Sequence, residues 1–142
     1  MKVKIHRIDK SLPLPKYETQ GAVGFDLLAR EQTIIQSKSI ALIPGNIIVE
    51  TPEGYMLKIV LRSSTPGKKG LLTPHGIGVI DQDYSGKDDE IKIQVYNFTE
   101  QKVTIEKGEK IAQGIFVKIE KPEWDEVSEI TKKSRGGFGS TS

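Results

Sequence analysis

The chain has 142 residues and a mass of 15.8 kDa, the size of one domain. Apolar residues make up 36% and charged residues 28%, which excludes a disordered or low-complexity chain, and a net charge of only +2 argues against a nucleic-acid partner. The absence of cysteine excludes disulfides, cysteine-based zinc sites and thiol catalysis.

Ile and Val together number 27, against 13 for Leu and Ala. The β-branched pair is stiff at χ1 and packs on a pleated surface, so the composition points to an all-β chain. Alternation of side chains places a short strand at Val3 and Ile5, and the apolar stretches at Ile34-Ile35, Ile40 to Ile43 and Ile47 to Val49, broken by the turn Pro44-Gly45-Asn46, read as further short strands. Further strands follow at Leu57 to Leu61, Ile91 to Val95 and Ile115 to Ile119. Turn residues separate them at Pro44-Gly45-Asn46, Pro52-Glu53-Gly54, Pro66-Gly67, Ser85-Gly86-Lys87 and Lys107-Gly108-Glu109. Strands of this length and spacing fit a sandwich, a jelly roll or a barrel.

Helix is scarce. Ser64-Thr65-Pro66 offers a hydroxyl N-cap and an early proline, with Gly67 and Gly70 keeping the turn short. Glu123 to Lys132 is compatible with one more short helix. No composition shift marks a second domain, so residues 1–131 are read as the folded body. Residues 132–142, with three glycines, clustered cations and one large apolar side chain, are read as a mobile arm. No apolar run reaches the ~18–20 residues of a membrane span, and MKVKIHRIDK lacks a signal-peptide core; the expected location is the cytoplasm, away from membranes.

Five segments carry chemistry-bearing residues. The arm joins Arg135 and Phe138 to glycines, which suits phosphate gripping and ring stacking, or simply a solubilising terminus. In residues 76–86 an apolar run ends in Asp81, Asp83 and Tyr84, read as a strand closing at a tight hairpin. Asp81 fits either a general base or a turn aspartate, and Gly76 and Gly78 allow close backbone approach. Arg62, Ser63 and Ser64 sit where a strand gives way to a turn, a setting for an anion or for helix capping. Asp26 and Gln113 are single polar side chains in Gly- and Ala-containing runs. The two histidines, His6 and His75, lie far apart in sequence, which disfavours a His-based metal site.

Taken in order, GAVGFDL (21–27), LRSSTPG (61–67), GIGVIDQDYSG (76–86), KGEKIAQ (107–113) and RGGFGSTS (135–142) resemble the five motifs of the homotrimeric dUTPase family. The resemblance implies a distorted jelly-roll, β-barrel-like single domain with a flexible C-terminal arm, and hydrolysis of dUTP to dUMP and pyrophosphate with Mg²⁺. It implies that Asp81 activates the water that attacks the α-phosphorus, and that Arg62, Ser63, Ser64, Gln113 and Arg135 bind phosphates. Gly76, Gly78 and a neighbouring His75 would face the uracil, Tyr84 would pack under the deoxyribose, and Phe138 would close over the base. Asp26 would contact waters around Mg²⁺. The active sites would be shared between subunits of a homotrimer. In the commoner family pattern the arm's arginine stands at the position of Lys133; here Arg135 directly precedes Gly136-Gly137.

Two other readings use the same scaffold. A dCTP deaminase shares the RSS segment, but it needs a proton-shuttling carboxyl where this chain has Gln94, and an arginine where it has Gly67. A catalytically silent interaction protein is opposed by the presence of Asp81, Tyr84, Arg62 and Gln113 together.

Overall fold

The computed structural model describes residues 1–141; Ser142, the last residue of the expected arm, lies outside them. Eleven strands and one short helix form the body. The strands are β1 (Ile5–Arg7), β2 (Phe25–Leu28), β3 (Thr33–Ile35), β4 (Ile40–Pro44), β5 (Ile47–Val49) and β6 (Tyr55–Leu61). After helix α1 (Thr65–Lys69) come β7 (Leu71–Leu72), β8 (Gly78–Ile80), β9 (Lys92–Asn97), β10 (Val103–Ile105) and β11 (Lys110–Lys118). A four-stranded sheet has the order β2-β11-β6-β8, a three-stranded sheet β4-β9-β7, and β1-β5 and β10-β3 form two antiparallel pairs. The chain is an all-β, jelly-roll-like domain.

One core joins these sheets. Leu27, Ile43, Leu57, Leu71, Ile91, Val95 and Ile105 are fully buried, and residues of both larger sheets belong to the same cluster. Each such side chain contributes ~1.5–3 kcal/mol over exposure. Alternation explains β9, where Ile93, Val95 and Asn97 are buried between more exposed neighbours. Asn97 is the polar exception and is satisfied: its Nδ2 donates to the Ile35 and Gln101 carbonyls, and its Oδ1 accepts from the Thr99 amide and hydroxyl. Between β4 and β5, Asn46 takes a left-handed φ of 72°, as the Pro-Gly-Asn turn requires.

Three expectations change. Residues 123–132 form no helix, because Trp124, Val127 and Ile130 are exposed and the body presents them nothing to pack on. The segment after Asp81 is not a hairpin: β8 pairs with β6, whereas β9 lies in the other sheet, so residues 81–91 cross between sheets. Strand β11 is longer than its alternation indicates, running back to Lys110 through Ala112 and Gly114. Two partners hold that Gly/Ala stretch, β2 on one side and β6 on the other. No helix among the described residues is long and apolar enough to cross a membrane.

Candidate active site

Strand pairing brings the first, second and fourth motifs together. Gln113 of β11 lies opposite Asp26 of β2 on one side and Val60 of β6 on the other. A register shift against β2 between Lys110 and Ala112 is the local irregularity that leaves both Ile111 and Ala112 buried. The Ile111 carbonyl at this bulge accepts the Arg62 amide at 3.1 Å and the Thr65 hydroxyl at 3.0 Å. Those two bonds moor the loop of Arg62, Ser63 and Ser64 beside Gln113.

Helix α1 follows without help from the serine. Ser64 occupies the N-cap, but its side chain makes no capping bond, and Gly70 ends the helix in a left-handed conformation with its N–H on the Pro66 carbonyl. The reading of the serines as caps therefore fails. Their hydroxyls remain available to a ligand at the loop's surface.

Asp26 is buried between two cations. Arg62 Nε stands 3.4 Å from its Oδ1 and Lys110 Nζ 3.3 Å from its Oδ2. The Lys110 ammonium is held above its ordinary range, first by its hydrogen bond to Glu18 at 2.6 Å and then, against partial desolvation, by Asp26. Lys110 is a site residue absent from the motif reading; its place three residues before Gln113 is the available signal. Arg62 Nε approaches Oδ1 without hydrogen-bond geometry, so this buried oxygen has no donor among the described residues. An open acceptor suits a water of a hydrated Mg²⁺, while two neighbouring cations oppose direct ligation of a bare dication. The described residues hold no cluster of three or more His, Asp or Glu side chains that would cage a metal. The donor set fits an ion that keeps its waters.

The third motif lies elsewhere. Strand β8 is an edge strand, paired through Gly78 with Ile59 and through Ile80 with Leu57, so its outer main chain is open. A Cβ at Gly78 would stand 2.9 Å from the Ile59 Cβ, which explains the glycine by close strand packing. Gly76 has φ +83°, with open space around it. A cavity of about 220 Å³ is lined by His75, Gly78, Ile80, Ile59 and Gln94. Asp81 follows Ile80 and is exposed; with Tyr55, Gln82 and Lys121 it lines a second cavity of about 360 Å³. Gln82 is structural, its Nε2 donating to the Tyr55 carbonyl at 2.9 Å. Tyr84 donates its hydroxyl to the Glu90 carbonyl at 3.1 Å.

Two clusters thus stand apart within one chain, Asp26-Arg62-Gln113 and Asp81-Tyr84. Arg135 and Phe138 join neither: every described residue after Ile119 is exposed, Phe138 completely. The arm's φ values of +81° at Gly136 and +86° at Gly139 call for glycine at those two positions, and Phe138 itself takes φ +52°.

Comparison with known proteins gives this arrangement its context. The family model described as dUTPase matches residues 10–142. The chain is 43% identical over 146 residues to a deoxyuridine 5'-triphosphate nucleotidohydrolase of Finegoldia magna, covering 99% of each. It is 36% identical over 143 residues to one of Helicobacter pylori, covering 99% of this chain and 97% of that protein. Among solved structures, the dUTPase of Streptococcus mutans superposes with a TM-score of 0.78 at 35% identity, over 84% of this chain and 98% of the other. A Staphylococcus bacteriophage 80alpha dUTPase with dUpNHpp gives 0.87 at 25% identity, over 99% and 98%. With the whole length accounted for at the level of sequence and nearly all of it at the level of fold, the chain belongs to the dUTPase family.

Proposed function

We propose that the protein hydrolyses dUTP to dUMP and pyrophosphate, at active sites formed where copies of the chain meet. In the cell this activity would keep uracil out of DNA and supply dUMP for thymidylate synthesis. Support comes from the family membership and from the distance between the two half-sites. Asp81 follows Ile80, which pairs with Leu57, whereas Arg62 lies five residues beyond Leu57 on β6, or ~17 Å along a strand. Attack on the α-phosphorus needs a base and phosphate donors within hydrogen-bond reach of one phosphoryl group. The reading therefore takes the base and the phosphate donors from different copies, in a homotrimer or another symmetric assembly with shared sites.

Within such a site Asp81 orients a water and takes its proton as the water's oxygen bonds to the α-phosphorus; the bond to the bridging oxygen breaks and pyrophosphate leaves. The two serine hydroxyls, Gln113 and Arg62 contact phosphate oxygens. Asp26, steadied by Arg62 and Lys110, offers its open Oδ1 to a water of the Mg²⁺ shell. Mg²⁺, when bound, neutralises triphosphate charge. The main chain from Gly76 to Gly78, leading into edge strand β8, pairs with the uracil, with His75 at the rim of the cavity, and Tyr84 packs under the sugar. The arm, residues 132–142, closes the site with Arg135 on phosphate and Phe138 over the base; its exposure along the whole described length supports a docking place on another copy.

The test is direct. Purified protein with dUTP and Mg²⁺ releases pyrophosphate, and gives no ammonia from dCTP, where Gln94 cannot move a proton. Inertness toward dUTP sinks the proposal.

A further inference from the structure

Tyr84 is tied across its own loop. Its hydroxyl donates to the Glu90 carbonyl at 3.1 Å and its amide to the Asp81 carbonyl at 3.3 Å. Between these ends the loop closes on itself, with the Gly86 amide on Asp89 Oδ2 at 2.7 Å and the Asp89 amide on the Gly86 carbonyl at 3.0 Å. The hydroxyl bond is the one hydrogen bond of the Tyr84 side chain among the described residues, and the residue is 37% exposed. Without that bond nothing polar fixes the far end of the ring.

The carbonyl that receives the hydroxyl is itself held. Glu90 is buried, and both of its carboxylate oxygens accept from Arg30 Nε, at 2.8 and 3.0 Å. The Asn46 amide lies 3.4 Å from the same carboxylate. Arg30 is anchored through its own amide on the Pro44 carbonyl at 2.8 Å. The next residue after Glu90, Ile91, donates to the Ile47 carbonyl and accepts from the Gly45 amide. Arg30 therefore reaches from the end of the first motif to the residue that fixes the third motif's aromatic ring. Neither Arg30 nor Glu90 lies within any of the five motifs.

We propose that the Arg30–Glu90 ion pair sets sugar selection: by locking the Glu90 carbonyl it locks Tyr84 at the height that admits a deoxyribose and rejects a 2'-hydroxyl. The inference rests on the proposed reading that dUTP is the substrate and that Tyr84 lies under its sugar. Exclusion by contact is only as good as the stiffness of the wall, because a half-exposed ring that can tilt will yield to one extra oxygen. A charge-assisted pair on a buried carboxylate is a stiff support. Arg30 is a positioning residue and touches no substrate atom.

The experiment measures kcat/KM for dUTP and for UTP with the wild type, Arg30→Met, Arg30→Lys and Tyr84→Phe, well below the melting temperature of each. Arg30→Met keeps kcat for dUTP within about twofold, while the dUTP-over-UTP preference falls about fivefold or more, the factor that one neutral hydrogen bond carries. Tyr84→Phe lowers the preference by a similar factor, and adding Arg30→Met to it lowers it no further, because both act on one chain of contacts. Arg30→Lys recovers part of the preference. A wild type that discriminates, with variants that keep its full preference, overturns the inference and leaves the substrate reading intact. Should Arg30→Met fail to fold, Tyr84→Phe decides alone, an unchanged preference being the overturning result. A wild type that hydrolyses neither nucleotide overturns the proposed function itself.

Discussion

Asp81 and Arg62 leave opposite ends of one strand pairing: Asp81 follows β8 at Leu57 of β6, and Arg62 follows the last residue of β6. The proposed shared site takes them from different copies of the chain. Two inactive variants, Asp81→Asn and Arg62→Ala, should therefore rescue each other when unfolded together and reassembled. With random reassortment, half the copies supply each intact partner, so about one quarter of wild-type activity returns. No recovery in the mixed assembly, with each variant alone correctly assembled, would mean that both groups act from the same chain.

Asp81→Asn keeps the shape of the side chain and removes its ability to take a proton. Turnover of dUTP should fall ~10²–10⁴-fold, the contribution of a positioned general base. Binding of a non-hydrolysable dUTP analogue, measured by calorimetry, should stay within about threefold, since the proposed phosphate contacts are elsewhere. Normal turnover by the Asp81→Asn variant would remove Asp81 from its role.

The exposed arm should matter for rate and not for folding. Deleting residues after Lys133 removes Arg135 and Phe138 but no part of the buried core. If the arm closes the site as proposed, steady-state rates should drop about tenfold or more, because water exclusion and the grip on the outer phosphates are lost. Sedimentation and melting temperature should match the full chain. Full activity in the truncated protein would leave the arm without a catalytic part.

Much of this architecture is legible in the sequence. Strong alternation places β6 and β9, where one face meets the core and the other does not. β2 and β10 escape such a reading because four and three residues carry too little period, and β2's Phe-Asp-Leu-Leu is buried on nearly every side chain. The turn residues after Asp81 suggest a hairpin, but they say nothing about which distant strand receives the next segment. Trp124, Val127 and Ile130 have helical spacing, yet spacing needs a surface to pack on, and the chain gives them none. The adjacency of Asp26, Gln113 and Arg62 depends on long-range register and a bulge, and only the likeness to a known family anticipates it. Arg30 and Glu90 are beyond reach for the same reason: their partners are remote in sequence, and each alone reads as a surface charge.

Stability should respond to pH through Asp9, which joins the N-terminal segment to the turn before β11. Its Oδ2 lies 2.6 Å from Lys107 Nζ, and its Oδ1 accepts the Ser11 amide and hydroxyl at 2.8 and 2.6 Å. The hydrogen bond from Lys107, followed by those from Ser11, holds the carboxyl well below the usual carboxylate range. A depressed folded-state value means that the unfolded chain takes up the proton first. The stabilisation is then fully present above ~3.9, the ordinary Asp value, and is lost as the pH falls toward the folded-state value. Asp9→Asn should therefore melt below the wild type at about pH 7 and about pH 5, with equal gaps, and the gap should narrow at about pH 3. Thermal melts of both proteins at the three pH values supply the check. A gap as wide at about pH 3 as at neutrality would mean that shape, not charge, makes Asp9 matter.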